Sequence, residues 1–146
     1  MEKLLKDNLD KESCLKRARL AFSSGYHCAQ SAFMAFAPAC GLEETEAARI
    51  AASFGGGVGG MGELCGALNG ACIALGILKG SFAPGDQAGK EAHYARVQRL
   101  AERFKAANGS LYCRDIKRED PVEKKKYCTL CVTSAVEALL AELEEK

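Results

Sequence analysis

The chain has 146 residues and a mass of 15.6 kDa, the size of one domain spanning 1–146. Its 48% hydrophobic and 27% charged residues exclude disorder. The net charge of +1 lacks the basic surplus that counterion-release binding of nucleic acid needs, and with no Trp and 7% aromatics a stacking platform for single strands is excluded too.

The first residues, Met1 to Asn8, are charged and lack the apolar core of a signal peptide. A first helix is predicted from Leu4 to Phe22, with apolar residues at helical spacing, ended by Ser23-Ser24-Gly25. A second, rich in Ala and Phe, runs from about Tyr26 to Ala37 and is broken by Pro38 and Gly41. A third begins near Leu42, with Glu43, Glu44 and Glu46 against its positive end, and stops near Phe54. Next comes a run from Phe54 to Gly62 that is mostly glycine, which a regular helix would not tolerate. A fourth helix is expected from about Glu63 to Leu78. A fifth runs from a cap at Asp86 to about Ala107, stopped by Asn108-Gly109-Ser110. Residues Arg114 to Lys126, with Pro121, read as loop, and a last helix runs from about Tyr127 to Leu143 before a fraying Glu-Leu-Glu-Glu-Lys end. No stretch alternates with period two. The expected fold is an all-α single-domain bundle of five to six helices, with a Gly-rich loop before the central one. The longest apolar stretch, Ala67 to Leu78, is interrupted and too short for a bilayer, so no membrane association and a cytoplasmic, reducing compartment are expected.

The eight cysteines are the unusual feature. In a reducing compartment they point to metal binding, catalysis or burial rather than a disulfide framework. Cys28, Cys65 and Cys128 fall at predicted helix starts, and Cys113 follows a helix break. Free N–H groups and the positive end of the helix dipole favour a thiolate there, and Lys124-Lys125-Lys126 push Cys128 the same way. Cys14 and Cys72 read as apolar filler, and Cys40, in a Pro-Ala-Cys-Gly turn, leans structural. Cys128-Thr129-Leu130-Cys131 has thioredoxin-like spacing but no βαβ context, and a single such pair is too few for a structural zinc site.

The glycine run contains Gly55-x-Gly57-x-x-Gly60, yet a helix precedes it and no Gly-Lys-Ser/Thr follows, so nucleotide binding is not expected. Gly55, Gly56, Gly57, Gly59, Gly60 and Gly66 instead offer close backbone approach and N–H groups that could face thiolates or inorganic sulfide beside Cys65. His27 adjoins Cys28 in sequence, but adjacent helical residues do not face each other. His93 reads as an ordinary partly buried histidine. The carboxylates read as solvated helix faces, and no Ser-His-Asp arrangement is present.

Cys65-Gly66-Ala67-Leu68-Asn69-Gly70 has the form C-G-A-x-x-G after a glycine-rich loop, with Cys28 upstream in Tyr26-His27-Cys28-Ala29-Gln30-Ser31. Downstream lie Cys113, in Leu111-Tyr112-Cys113-Arg114, and Cys128, in Cys128-Thr129-Leu130-Cys131-Val132. This arrangement resembles the C_GCAxxG_C_C family of redox-active proteins over nearly the whole chain. Cys131 departs from it, standing where the family has an apolar residue. Related sequence occurs in split-Soret-type cytochromes; this chain has no Cys-x-x-Cys-His for covalent haem.

The leading expectation is a four-thiolate site of Cys28, Cys65, Cys113 and Cys128 at one end of the bundle. It would hold a [2Fe–2S] or [4Fe–4S] cluster for electron transfer or redox sensing. The alternatives are dithiol–disulfide cycling, with Cys65 or Cys128 as attacker, and structural zinc or a scaffold without metal. Any enzymatic activity would be an oxidoreductase's. An electron-transfer partner is implied but not identified, and the Ala-rich helices are compatible with a homo-oligomer.

Overall fold

In the computed structural model, residues 8–145 are described, and among them lie seven α-helices and no strand. The helices are α1 (Lys11–Ser23), α2 (Cys28–Met34), α3 (Glu44–Ile50), α4 (Gly66–Lys79), α5 (Gln87–Asn108), α6 (Cys113–Ile116) and α7 (Pro121–Glu144). The count exceeds the five to six expected because a short helix, α6, forms in the segment read as loop. The third predicted helix ends at Ile50 and passes into a 3₁₀ turn, Ala52–Phe54. The predicted start of the first helix at Leu4 lies outside the described residues, as does Lys146 at the other end.

Helix α2 is the hub. It is short, yet Ser31 to Ala37 are all buried, and it packs against α1, α3, α4 and α7. Phe33 and Phe36 are fully buried, each contributing about 1.5–3 kcal/mol by leaving water. The helix stops at Met34, short of the expected Ala37, because its hydrogen bonds tighten to Phe36 N–H→Phe33 O and Ala37 N–H→Met34 O. Arg17 Nε donates to the Ala35 carbonyl at 2.9 Å, which helps fix the turn.

The most extensive helix contact is α2 on α4. Gly66 and Gly70, one turn apart on α4, make it possible. A Cβ on Gly66 would stand 2.5 Å from Cys28 Sγ and 2.8 Å from the Phe54 carbonyl oxygen, and one on Gly70 would strike the Ala29 carbonyl.

Helix α7 begins at Pro121, two turns before the expected Tyr127. Proline is well suited to the first helical position, where its missing N–H has no partner to lose. Asp120 caps the helix by accepting from Glu123 N–H at 3.0 Å. At the other end the expected fraying does not occur as far as Glu144. Glu142 is fully buried and takes a two-point hydrogen bond from Arg99 of α5, at 3.0 Å from Nε and 2.8 Å from Nη2. It is the exception to the reading of every carboxylate as solvated. No helix among the described residues is long and apolar enough to cross a membrane.

Candidate functional site

His27 caps α2. Its Nδ1 accepts from Gln30 N–H at 3.3 Å while Gln30 Oε1 accepts from His27 N–H at 3.1 Å. Its Nε2 lies 2.9 Å from the Ala52 carbonyl, which can only accept, so the neutral Nε2–H tautomer satisfies both contacts. Both nitrogens are occupied, so His27 positions the start of α2 and does not act as a base toward Cys28. Gly55 lies directly on the imidazole, where a Cβ would be 2.7 Å from Cγ.

The glycine loop closes on itself. The N–H groups of Val58 to Glu63 donate to carbonyls between Ser53 and Val58. Gly57, at φ +76°, passes so close to α6 that a Cβ would meet Cys113 Cβ at 2.7 Å. Of the six glycines singled out in the sequence, Gly56 turns its N–H toward a thiol, that of Cys28. Gly59 and Gly60 are exposed, with no side chain within 4 Å of an added Cβ. The expected array of several N–H donors is therefore narrowed, because the rest of the loop uses its donors for its own closure.

After the loop, residues 63–65 are extended rather than helical, since they pair with residues 111–113. Leu64 and Tyr112 form an antiparallel bridge. Cys65 N–H donates to Leu111 O and Cys113 N–H to Glu63 O, both at 2.8 Å, and Arg114 N–H donates to Gly62 O at 3.1 Å. This clasp sets Cys65 at the cap of α4 and Cys113 at the first position of α6. Cys113 thus occupies a helix start, where a break was expected. Cys128, expected at a start, lies two turns into α7 because that helix begins at Pro121. Its thiol therefore lacks the dipole support assigned to it, which falls off within the first turn.

Cys28, Cys65, Cys113 and Cys128 line one cavity of about 460 Å³, together with a fifth cysteine, Cys131. One face of α7 supplies Pro121, Lys124, Lys125, Cys128 and Cys131, the spacing at which a helix aligns its side chains. The expected four-thiolate site leaves Cys131 out, and its spacing of three from Cys128 on one helix is the signal that could have added it. Cys131 is 2% exposed, and its sulfur lies 3.6 Å from Asn108 Oδ1. The Asn108 amide nitrogen donates to Phe104 O and Ser134 Oγ, which turns the oxygen toward Cys131. Among the described residues, no three His, Cys, Asp or Glu side chains are drawn closely enough to hold a single metal ion. The remaining cysteines do not line the cavity. Cys14 is fully buried, with its sulfur 3.4 Å from Arg17 Nη2, and burial pushes the Cys40 and Cys72 thiols up to about 11. All eight cysteines are free thiols.

The cavity thiols differ in ionisation. Cys65 is lowered to about 7, first by a hydrogen bond from the Cys131 thiol and further by the Ala67 and Leu68 N–H groups, which outweigh its burial. Those two amides face the sulfur without forming a close cap hydrogen bond. Cys131, the proton donor of the pair, is raised. Burial raises Cys28 to about 11, against the Gly56 N–H. Cys113 and Cys128 are raised by burial and by the Cys65 charge, against Lys117 and Lys124. Of the two attackers considered in the sequence, Cys65 is the one with the lowered pKa.

Residues 26–142 match the family described as "Putative redox-active protein (C_GCAxxG_C_C)". The chain belongs to this family. Within the matched C_GCAxxG_C_C region lie all five cavity cysteines. The core element here reads Cys65-Gly66-Ala67, with Cys before Gly, the reverse of the order in the family's label. A relative from Archaeoglobus fulgidus, described as an uncharacterized protein, is 31% identical over 146 aligned residues, covering 92% of this chain and 96% of its own length. No solved structure matches the chain.

Proposed function

We propose that the cavity is a redox centre in which Cys28, Cys65, Cys113 and Cys128 hold an iron–sulfur cluster, [2Fe–2S] or [4Fe–4S]. The observation that carries this reading is that four thiols from four separate segments surround one cavity of about 460 Å³. Four cysteinates are the usual donor set for such clusters, which take up and release single electrons. A single zinc ion needs its sulfur donors about 2.3 Å from one point. Thiols arrayed around a space rather than a point favour the larger group. The chain's own contribution is room and charge balance. Gly57 and Gly66 let backbone and sulfur approach closely, the Gly56 N–H faces Cys28, and Lys117 and Lys124 offset thiolate charge.

Protein purified without oxygen is expected to contain iron and acid-labile sulfide and to absorb in the visible. Serine at any of the four positions should lower iron per chain by at least about half, while Cys131→Ser keeps it. Colourless, iron-free protein under these conditions would defeat the proposal.

A second reading is favoured by one observation: Cys65 and Cys131 line the same cavity, and the pKa of the Cys65 thiol beside Cys131 is lowered to about 7. A thiolate beside a protonated thiol is the arrangement of an attacking and a resolving cysteine in thiol–disulfide exchange.

A further inference from the structure

The cavity mouth has a charge pattern that neither reading uses in full. Lys117, Lys124 and Lys125 line it, and no Asp or Glu does. The neighbouring cations are engaged elsewhere. Arg114 pairs with Glu63 at 3.2 Å and lies over Tyr112, and Arg118 lies 4.3 Å from the Tyr127 ring centroid. The three lysines have no carboxylate partner among the described residues. Two neighbouring acids are engaged in other hydrogen bonds. Asp115 accepts from Ser110 Oγ at 2.8 Å, and Asp120 caps α7. Three ammonium groups thus surround the entrance to a space whose inner wall carries five thiols.

We infer that the cavity takes a low-molecular-weight anionic thiol or disulfide, with its carboxylates at Lys117, Lys124 and Lys125 and its sulfur among the cavity thiols. The inference deepens the thiol–disulfide reading and rests on it. The Cys65 thiolate attacks one sulfur of the bound disulfide. A new S–S bond forms, the old one breaks, and one half leaves as a thiolate with the electron pair. Cys131 then gives up its proton and attacks the Cys65 sulfur, which expels the second half as a thiolate. Two cysteine thiols are oxidised to one disulfide and the small disulfide is reduced to two thiols, so atoms and electrons balance. The lysines act on the first encounter. They concentrate the anion at the mouth and hold its charged ends away from the sulfur that reacts.

The test uses the full-length chain, reduced and treated with chelator, with its iron content before treatment recorded. It is exposed separately to 3,3′-dithiodipropionate, a dianion, and cystamine, a dication of similar size. Mixed-disulfide and intramolecular-disulfide formation are followed by intact mass, and each rate is divided by that of the neutral disulfide bis(2-hydroxyethyl) disulfide in the same buffer. At low salt the normalised rate for the dianion should exceed that for the dication by about tenfold, and the preference should shrink at high salt. The triple variant Lys117→Glu, Lys124→Glu, Lys125→Glu, changed only at exposed positions, should reverse it. Equal normalised rates in the unaltered chain, or a preference the triple variant retains, would overturn the anion site alone. The absence of any mixed or intramolecular disulfide with either reagent would overturn the exchange reading and the inference with it. The iron content speaks only to the cluster.

Discussion

At pH 7 a neutral alkylating reagent should label Cys65 ahead of every other thiol in the reduced, metal-free chain. Its pKa of about 7 leaves half of it as thiolate at that pH. Cys28, Cys40 and Cys72, at about 11, are ionised to about one part in ten thousand. The sign follows from the acid form being the neutral one. Labelling of Cys65 should fall as pH drops below 7 and level off above 8, while the raised thiols begin to react only at more alkaline pH. Cys131→Ala removes the hydrogen bond that contributes most to the low value. Labelling of Cys65 at pH 7 should then drop about tenfold and recover near pH 9, since lower basicity also makes a thiolate a weaker nucleophile and moderates the change. Peptide-level mass spectrometry after timed quenching reads both effects. A Cys65 that reacts no faster than Cys28 would remove the case for an attacker in this cavity.

Two alanine substitutions in the same helix should move stability in opposite directions. Gly70→Ala forces a methyl group into the Ala29 carbonyl, and α2 and α4 must separate to admit it. A loss of about 2 kcal/mol is expected, seen as a fall in Tm of roughly 4–8 °C by far-UV circular dichroism. Gly76→Ala, on the same helix, meets nothing within 4 Å. It should raise stability by about 0.5–1 kcal/mol through helix propensity. Because both substitutions carry the same intrinsic helix gain, the difference between them isolates the contact with α2. Shifts of the same sign and size would mean that α2 and α4 are not closely packed at Gly70.

The all-α architecture was legible because the chain has helical spacing throughout and no period-two segment. Local caps with one meaning were read well: Asp86 starts α5, and Gly109, at φ +82°, ends it. Signals with two meanings were not. Asp120-Pro121 suits a turn and equally the cap and first position of a helix. Choosing the turn displaced Cys128 by two turns and gave it dipole support that it does not have. The four family-pattern cysteines could be grouped from their motifs, but Lys117 could not be added to them. Its place at the mouth depends on the path the chain takes after α6, which brings Lys117 to the same cavity as Lys124 and Cys128, a matter of tertiary structure rather than spacing. Glu142 was hidden for the same reason. In a run of charged residues it looks solvated, and its partner Arg99 is 43 residues away.

The clasp between residues 63–65 and 111–113 is built from main-chain atoms. The exposed Tyr112 can therefore be replaced by any residue that accepts an extended backbone, and Leu64 and Leu111, which pack against the core, by other apolar ones, without either sulfur shifting. Proline at position 114 would be an exception, since it would delete the N–H that reaches Gly62. Descendants of one ancestral chain could diverge widely in these linking segments and still present Cys65 and Cys113 at the same separation.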